Sequence, residues 1–200
     1  MTEREWIRNR FILPGRKGRF LDIGAFDGVT DSLTHDLALA GWSGVCVEPD
    51  AETFCKLRET YAGNDAVSLI NSAVTPHGGM MAFWKSTNDA QNSTASRLHA
   101  ECCESRGIRF HKYTMATISP HVLLRNINGL RDLNFITIDA EGLTQEIVEM
   151  LPLQSMVGTE AICVEHPGDT AFLVSLLRPL YDIKLITDAN IIAVRSGAAG

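Results

Sequence analysis

Arg19-Phe20-Leu21-Asp22-Ile23-Gly24-Ala25-Phe26-Asp27-Gly28 reads as a buried strand running into a tight glycine turn. Phe20, Leu21 and Ile23 are strand formers in a short apolar run, and Asp22 interrupts that run near its end. Gly24 and Gly28 lack a Cβ, so the backbone can turn sharply there and lie close to a ligand. A helix pattern follows, with Thr30 or Asp31 as the expected N-cap and Leu33, Leu37 and Ala40 on one face.

Strand, glycine turn and helix make the first half of a nucleotide-binding βαβ unit. The second half follows at Val45, Cys46 and Val47, an apolar strand that ends on Glu48, twenty positions after Gly28. An acid at that place is where a ribose diol is gripped. A carboxylate suits the task because it only accepts hydrogen bonds. The glycine spacing is G-x-x-x-G and not the G-x-G-x-x-G of dinucleotide binders. The loop also carries two acids, Asp22 and Asp27, which would repel a pyrophosphate. They suit a ligand with ammonium and sulfonium groups, and S-adenosyl-L-methionine has both. The alternative is that the two acids only cap the turn and the helix.

Outward from this unit the chain alternates. Expected strands are Val67 to Ile70, Phe135 to Asp139 and Ala161 to Glu165, with a closing pair at Tyr181 to Ile186 and Ile191 to Val194. Between them lie helix patterns opened by Pro49-Asp50, by Ser119-Pro120 and by Asp169. Further short strands are expected at Met80 to Trp84 and Arg109 to Tyr113. Residues 85–96 are polar, and this stretch is either a substrate lid or simply mobile. The pattern implies an α/β fold of the Rossmann-like class I methyltransferase type. It is a seven-stranded, mostly parallel sheet with a C-terminal antiparallel hairpin and helices on both faces. Residues 1–18 form an N-terminal extension, and 19–196 form a single domain.

Composition excludes several classes. A formal net charge of −6 argues against a large nucleic-acid footprint, and the arginines near the N-terminus read as a solvated tail. No apolar run reaches the about 18 residues that span a bilayer. The five cysteines lack zinc-type pair spacing, and reduced thiols fit a cytoplasmic location.

Four stretches resemble the FkbM family of S-adenosylmethionine-dependent methyltransferases: Phe20 to Gly28, Val47-Glu48-Pro49-Asp50, Ile70-Asn71-Ser72-Ala73-Val74, and Phe135 to Gly142. The family more often has asparagine where Phe26 stands. The resemblance implies methylation of a hydroxyl on a sugar, lipid or other small-molecule or glycan acceptor. Cofactor contacts are expected at Asp22, Gly24, Ala25, Phe26, Asp27, Gly28, Glu48, Pro49, Asn71, Ser72 and Ala73, with Asn71 and Ser72 equally readable as a simple cap between strand and loop. An NAD-type oxidoreductase and a non-catalytic cofactor-binding protein are the competing readings.

In an open α/β sheet the ligand lies beyond the carboxyl ends of the strands. Asp22, Glu48, Asn71, Asp139 and Glu165-His166 all fall at such ends. Methyl transfer to oxygen needs alignment and the removal of one proton. The candidates for the base are His166, whose imidazole titrates near neutrality, Asp139 and Glu141. Asp139 and Glu141 could instead cap the helix that follows them, and His166 could only pack in its turn. No metal site is expected.

Overall fold

Alternation of side chains decides which face of the sheet each residue joins. Leu21 and Ile23 of β1 (Arg19–Ile23) face one core, together with Val45 and Val47 of β2 (Ser43–Val47). Phe20 and Cys46 point the other way and join a second core. The same division runs through β7 (Phe135–Ile138), β8 (Ala161–Glu165) and β10 (Asn190–Arg195), so the sheet is buried on both sides. This computed structural model describes residues 1–88, 90–127 and 132–197.

The sheet has seven strands in the order β3-β2-β1-β7-β8-β10-β9, where β3 is Val67–Ile70 and β9 is Tyr181–Ile186. Neighbours from β3 to β8 pair in parallel, and β10 is antiparallel to both β8 and β9. This is the expected sheet, closing hairpin included. β1 lies in its interior, beside the point where strand order reverses, which is where such sheets bind ligands.

Helices α1 (Glu3–Phe11) and α2 (His35–Leu39), with Leu57 of α3 (Ala51–Thr60), cover one face. Helices α5 (Pro120–Asn126), α6 (Thr144–Met150) and α7 (Ala171–Leu177) cover the other. The N-terminal arginines, expected as a solvated tail, are carried in part by a helix whose apolar residues pack on the sheet. Ile7 and Phe11 are fully buried, and Phe11 packs edge-on to Trp42 with ring centroids 5.4 Å apart. Arg16 donates to both oxygens of Glu160 at 2.7 Å, and Arg4 pairs with Asp36 at 2.7 Å.

Two expected boundaries move. The helix after the glycine turn has Thr34 at its N-cap rather than Thr30 or Asp31 and starts at His35, because residues 29–34 are used in a loop. In that loop Asp31 sits at φ 52° and Thr34 turns its hydroxyl to Asp22. The second shift is larger. β5 (Gly79–Ser86) and β6 (Phe110–Ile118) form a long antiparallel ribbon. With β4 (Ala73–Val74) this ribbon makes a separate three-stranded sheet. Between β5 and β6 lies α4 (Arg97–Ser105). The alternation of the ribbon extends well past Tyr113, but its mixed polarity hides it in the sequence.

Candidate functional site

The glycine turn is built by strand-end carbonyls. Gly24 and Ala25 both donate their N–H groups to the Val47 carbonyl, at 2.9 and 3.0 Å. Gly24 has φ 88°, and a Cβ there would stand 1.8 Å from the Asp139 carbonyl oxygen. Its freedom therefore serves the meeting of β1 and β7 at their carboxyl ends. Gly28, at φ 79°, is pressed against Leu57 and Tyr61 of the α3 side instead.

Above this turn lies a cavity of about 750 Å³, in the range of pockets that hold cofactor-sized ligands. Of the residues expected to bind a cofactor, Asp22, Gly24, Ala25, Phe26, Glu48, Pro49, Ser72 and Ala73 line it. Asp27, Gly28 and Asn71 do not. Asp27 accepts from the Val29 and Thr30 N–H groups and from the Thr30 hydroxyl, so it caps the loop. Asn71 stands behind the wall, donating to the Glu48 and Pro49 carbonyls at 2.8 and 3.0 Å.

Glu48 is buried at the end of β2. Its Oε2 accepts from the Phe26 N–H at 3.0 Å and its Oε1 from the Asp50 N–H at 2.8 Å. Phe26 makes that contact from a left-handed backbone, φ 50°. Burial pushes the Glu48 carboxyl up to about 8 against the pull of these two N–H groups. Asp22 is pushed to about 7, by burial first, with the Thr34 hydroxyl opposing and Asp139 adding to it. Each oxygen of Glu48 keeps a lone pair, so the residue suits a pair of ligand hydroxyls.

The far end of the cavity belongs to the turn after β7. Asp139 and Glu141 line it, Glu141 with φ 38°. Their carboxylate oxygens and those of Glu165 lie within 4.8 Å of one another. Burial, with the Asp139 and Glu141 carboxylates alongside, pushes the Glu165 carboxyl well up. Such an all-oxygen set suits a hard divalent cation and equally suits a shared proton. No ion is assigned to it.

His166 is held elsewhere. Its Nδ1 accepts from the Gly168 N–H at 3.1 Å, and its Nε2 lies 3.0 Å from the Thr187 carbonyl, to which it donates. Both ring nitrogens are thereby occupied by backbone, and the residue does not line the cavity.

The polar stretch at 85–96 is in part strand and in part wall. Gln91, Asn92, Ser93, Thr94 and Ala95 line the cavity. Thr94 exchanges backbone hydrogen bonds with Trp84, and its hydroxyl donates to the Glu141 carbonyl. Gln91 donates to Asp31 at 3.2 Å. Next to this wall, His99 of α4 places Nε2 3.0 Å from Glu141 Oε2. Nothing in the spacing of His99 marks it in the sequence, because its partner lies 42 positions away. Thr2, Glu3 and Arg4 complete the rim, a contribution the sequence also conceals.

A family model described as "Methyltransferase FkbM domain" matches residues 22–156. No curated protein matches the chain. Among solved structures, the chain resembles the methyltransferase FkbM from Methylobacillus flagellatus KT, with 12% identity and a TM-score of 0.56. That match covers 88% of this chain and 43% of the other. The METTL16 MTase domain matches at 12% identity and TM-score 0.53, over 98% of this chain and 66% of that one. The precorrin-6y C5,15-methyltransferase from Geobacter metallireducens GS-15 matches at 12% and 0.52, over 96% and 87%. At such identities the likeness is one of fold. The chain spans under half the length of the first of these proteins.

Proposed function

The chain belongs to the methyltransferase FkbM domain family, and we propose that it moves a methyl group from S-adenosyl-L-methionine to a hydroxyl of a sugar, lipid or other small-molecule or glycan acceptor. The observation that carries this reading is Glu48. It is a buried carboxylate fixed by two backbone N–H groups and facing a cavity that runs on to a second pair of acids. The cofactor supplies a methyl already activated by its sulfonium. The chain has then to hold, orient and deprotonate.

In this reading Glu48 accepts the ribose hydroxyls, and Asn71 keeps the Glu48 backbone in place. Asp22, set between the two ends, faces the positive part of the cofactor. Gly24, Ala25 and Phe26 form the floor, with Pro49, Ser72 and Ala73 as the wall. At the far end Asp139 and Glu141 meet the acceptor hydroxyl. Alignment of the acceptor oxygen supplies much of the acceleration. One of these two carboxylates takes the proton, a role for which His166 has no free nitrogen. An acid-lined cavity also disfavours a nucleotide pyrophosphate and nucleic acid.

Titration calorimetry with S-adenosylmethionine, S-adenosylhomocysteine and NAD tests the reading. The two sulfur compounds bind and NAD does not. Binding of NAD alone overturns it. Transfer of a radiolabelled methyl to fractionated acceptor pools then identifies the acceptor.

A further inference from the structure

The Glu141 carboxylate, at the cavity wall, is held by a histidine side chain. His99 Nε2 lies 3.0 Å from Glu141 Oε2, and both side chains are mostly shielded, at 22% exposure each. A carboxylate only accepts, so Nε2 carries the hydrogen of this contact. Three further features hold the pair together. Gly142 has φ 85°, and a Cβ there would stand 2.6 Å from His99 Cβ, so only glycine admits the imidazole-bearing helix this close. Thr94 donates its hydroxyl to the Glu141 carbonyl. Behind the ring, Cys103 Sγ lies 3.3 Å from Nε2 and donates its own hydrogen to Asn92 Oδ1 at 3.4 Å. Glu141 itself adopts φ 38°, a conformation that costs energy in a residue with a Cβ and recurs where side chains must be aimed.

The electrostatic setting gives this pair its meaning. Glu141 stands beside Asp139 and Glu165, and like charges so close resist joint ionisation. His99 is a basic group that faces the cluster, and it also acts on Asp139. Building on the methyltransferase reading above, we infer that His99 is the positioning residue of the transfer centre. It holds Glu141 aimed so that Glu141 takes the acceptor's proton. In that step the acceptor oxygen bonds to the methyl carbon and the S–C bond breaks with its electron pair left on sulfur. The hydroxyl proton passes to Glu141, whose second oxygen remains bonded to His99.

The test separates this inference from the reading it rests on. Calorimetry with S-adenosylhomocysteine comes first: if wild-type protein does not bind it, the methyltransferase reading itself fails. In the S-adenosylhomocysteine complex, a two-dimensional ¹H–¹⁵N long-range NMR spectrum is expected to show His99 protonated at Nε2. That signature should be altered in Glu141→Gln, while S-adenosylhomocysteine affinity stays within about twofold of wild type. An unprotonated Nε2, or a ring indifferent to Glu141→Gln, overturns the inference and leaves the reading intact. The kinetic arm uses labelled methyl transfer to a panel of neutral methyl glycosides. His99→Ala is expected to lose at least tenfold in kcat with KM for S-adenosylmethionine held, and added imidazole should recover part of the loss. A change confined to KM, or an unchanged kcat, would count against it.

Discussion

The two ends of the cavity solve one problem in different ways. At the β2 end a carboxylate is fixed by its own neighbourhood: Glu48 is held by the N–H groups of Phe26 and Asp50, all within one βαβ unit. At the β7 end Glu141 is fixed from a distance by the excursion between β5 and β6, its carbonyl by Thr94 and its carboxylate by His99. Each end sets a non-glycine residue in a left-handed conformation, Phe26 at 50° and Glu141 at 38°. The first end is a product of local chain geometry. The second exists only once the ribbon has docked. The difference predicts that binding and turnover will fail separately.

The largest expected effect strikes the joint between the ends. Gly24→Ala puts a Cβ 1.8 Å from the Asp139 carbonyl, on a residue already at φ 88°. β1 and β7 cannot both keep their places, and a loss of about 3 kcal/mol or more follows. Thermal melting should show the drop, and S-adenosylhomocysteine binding should vanish with it. A variant that melts like wild type would show that the two ends are not joined through this contact.

Next comes His166→Ala. Removing the buried ring forfeits its hydrogen bonds to the part-buried Thr187 carbonyl and the Gly168 N–H, about 1–3 kcal/mol for the two together. Cofactor affinity should not change. Asp139→Asn and Glu141→Gln should do the opposite, abolishing transfer while the fold melts near its usual temperature. If instead His166→Ala kept full stability and lost only turnover, the assignment of the base to the β7 turn would fall.

Glu48→Ala is expected to weaken S-adenosylhomocysteine binding by at least about 1.4 kcal/mol, a factor of ten, with the fold kept. The pH dependence sharpens this. In the free protein burial holds the Glu48 carboxyl up at about 8. Ligand hydroxyls favour the ionised form, so binding lowers that value and releases a proton. Affinity should therefore rise with pH toward about 8 and level off above it, and Glu48→Gln should make the rise shallower and end it near 7, where Asp22 ionises. Stability of the free protein runs the other way. A carboxyl raised on folding gives stability that is full below its unfolded value, near 4.5, and is lost as pH climbs through about 8. Melting temperatures that rise over this interval would contradict the burial of Glu48.

What could be read from sequence follows the same division. The run Phe20 to Gly28, Glu48, and the alternating apolar strands all rest on short-range patterns, and the sheet order follows from them with its antiparallel β10. Gly24 and Gly28 were legible as turn residues, but their crowding partners, Asp139 and Leu57, were not. Asp27 shows the limit from the other side: its sequence position fits a ligand contact as well as a cap, and the capping bonds appear only in the loop geometry. His99 meets Glu141 because β5 and β6 pair over eight registers and bring α4 back to the sheet. No periodicity within α4 records that return. His166 lies outside the cavity for a related reason, since the backbone that occupies its ring belongs in part to the β9–β10 turn.

The smallest expected effect tests the symmetry of the two strained residues. Phe26 offers its backbone N–H to Glu48, and a phenylalanine at φ 50° is costly by about 1–2 kcal/mol relative to an ordinary conformation. Asparagine tolerates that region better, and it is the residue the FkbM family more often places there. Phe26→Asn should therefore raise stability by about 0.5 kcal/mol, seen as a small upward shift in melting temperature, and leave S-adenosylhomocysteine affinity within about threefold. Glu141→Asn relieves strain of the same kind but removes the acid, so it should gain similar stability and lose transfer. If Phe26→Asn weakened binding tenfold, the ring itself would be a ligand contact. The strain at position 26 would then serve a side chain, as it does at 141, and not a backbone hydrogen bond.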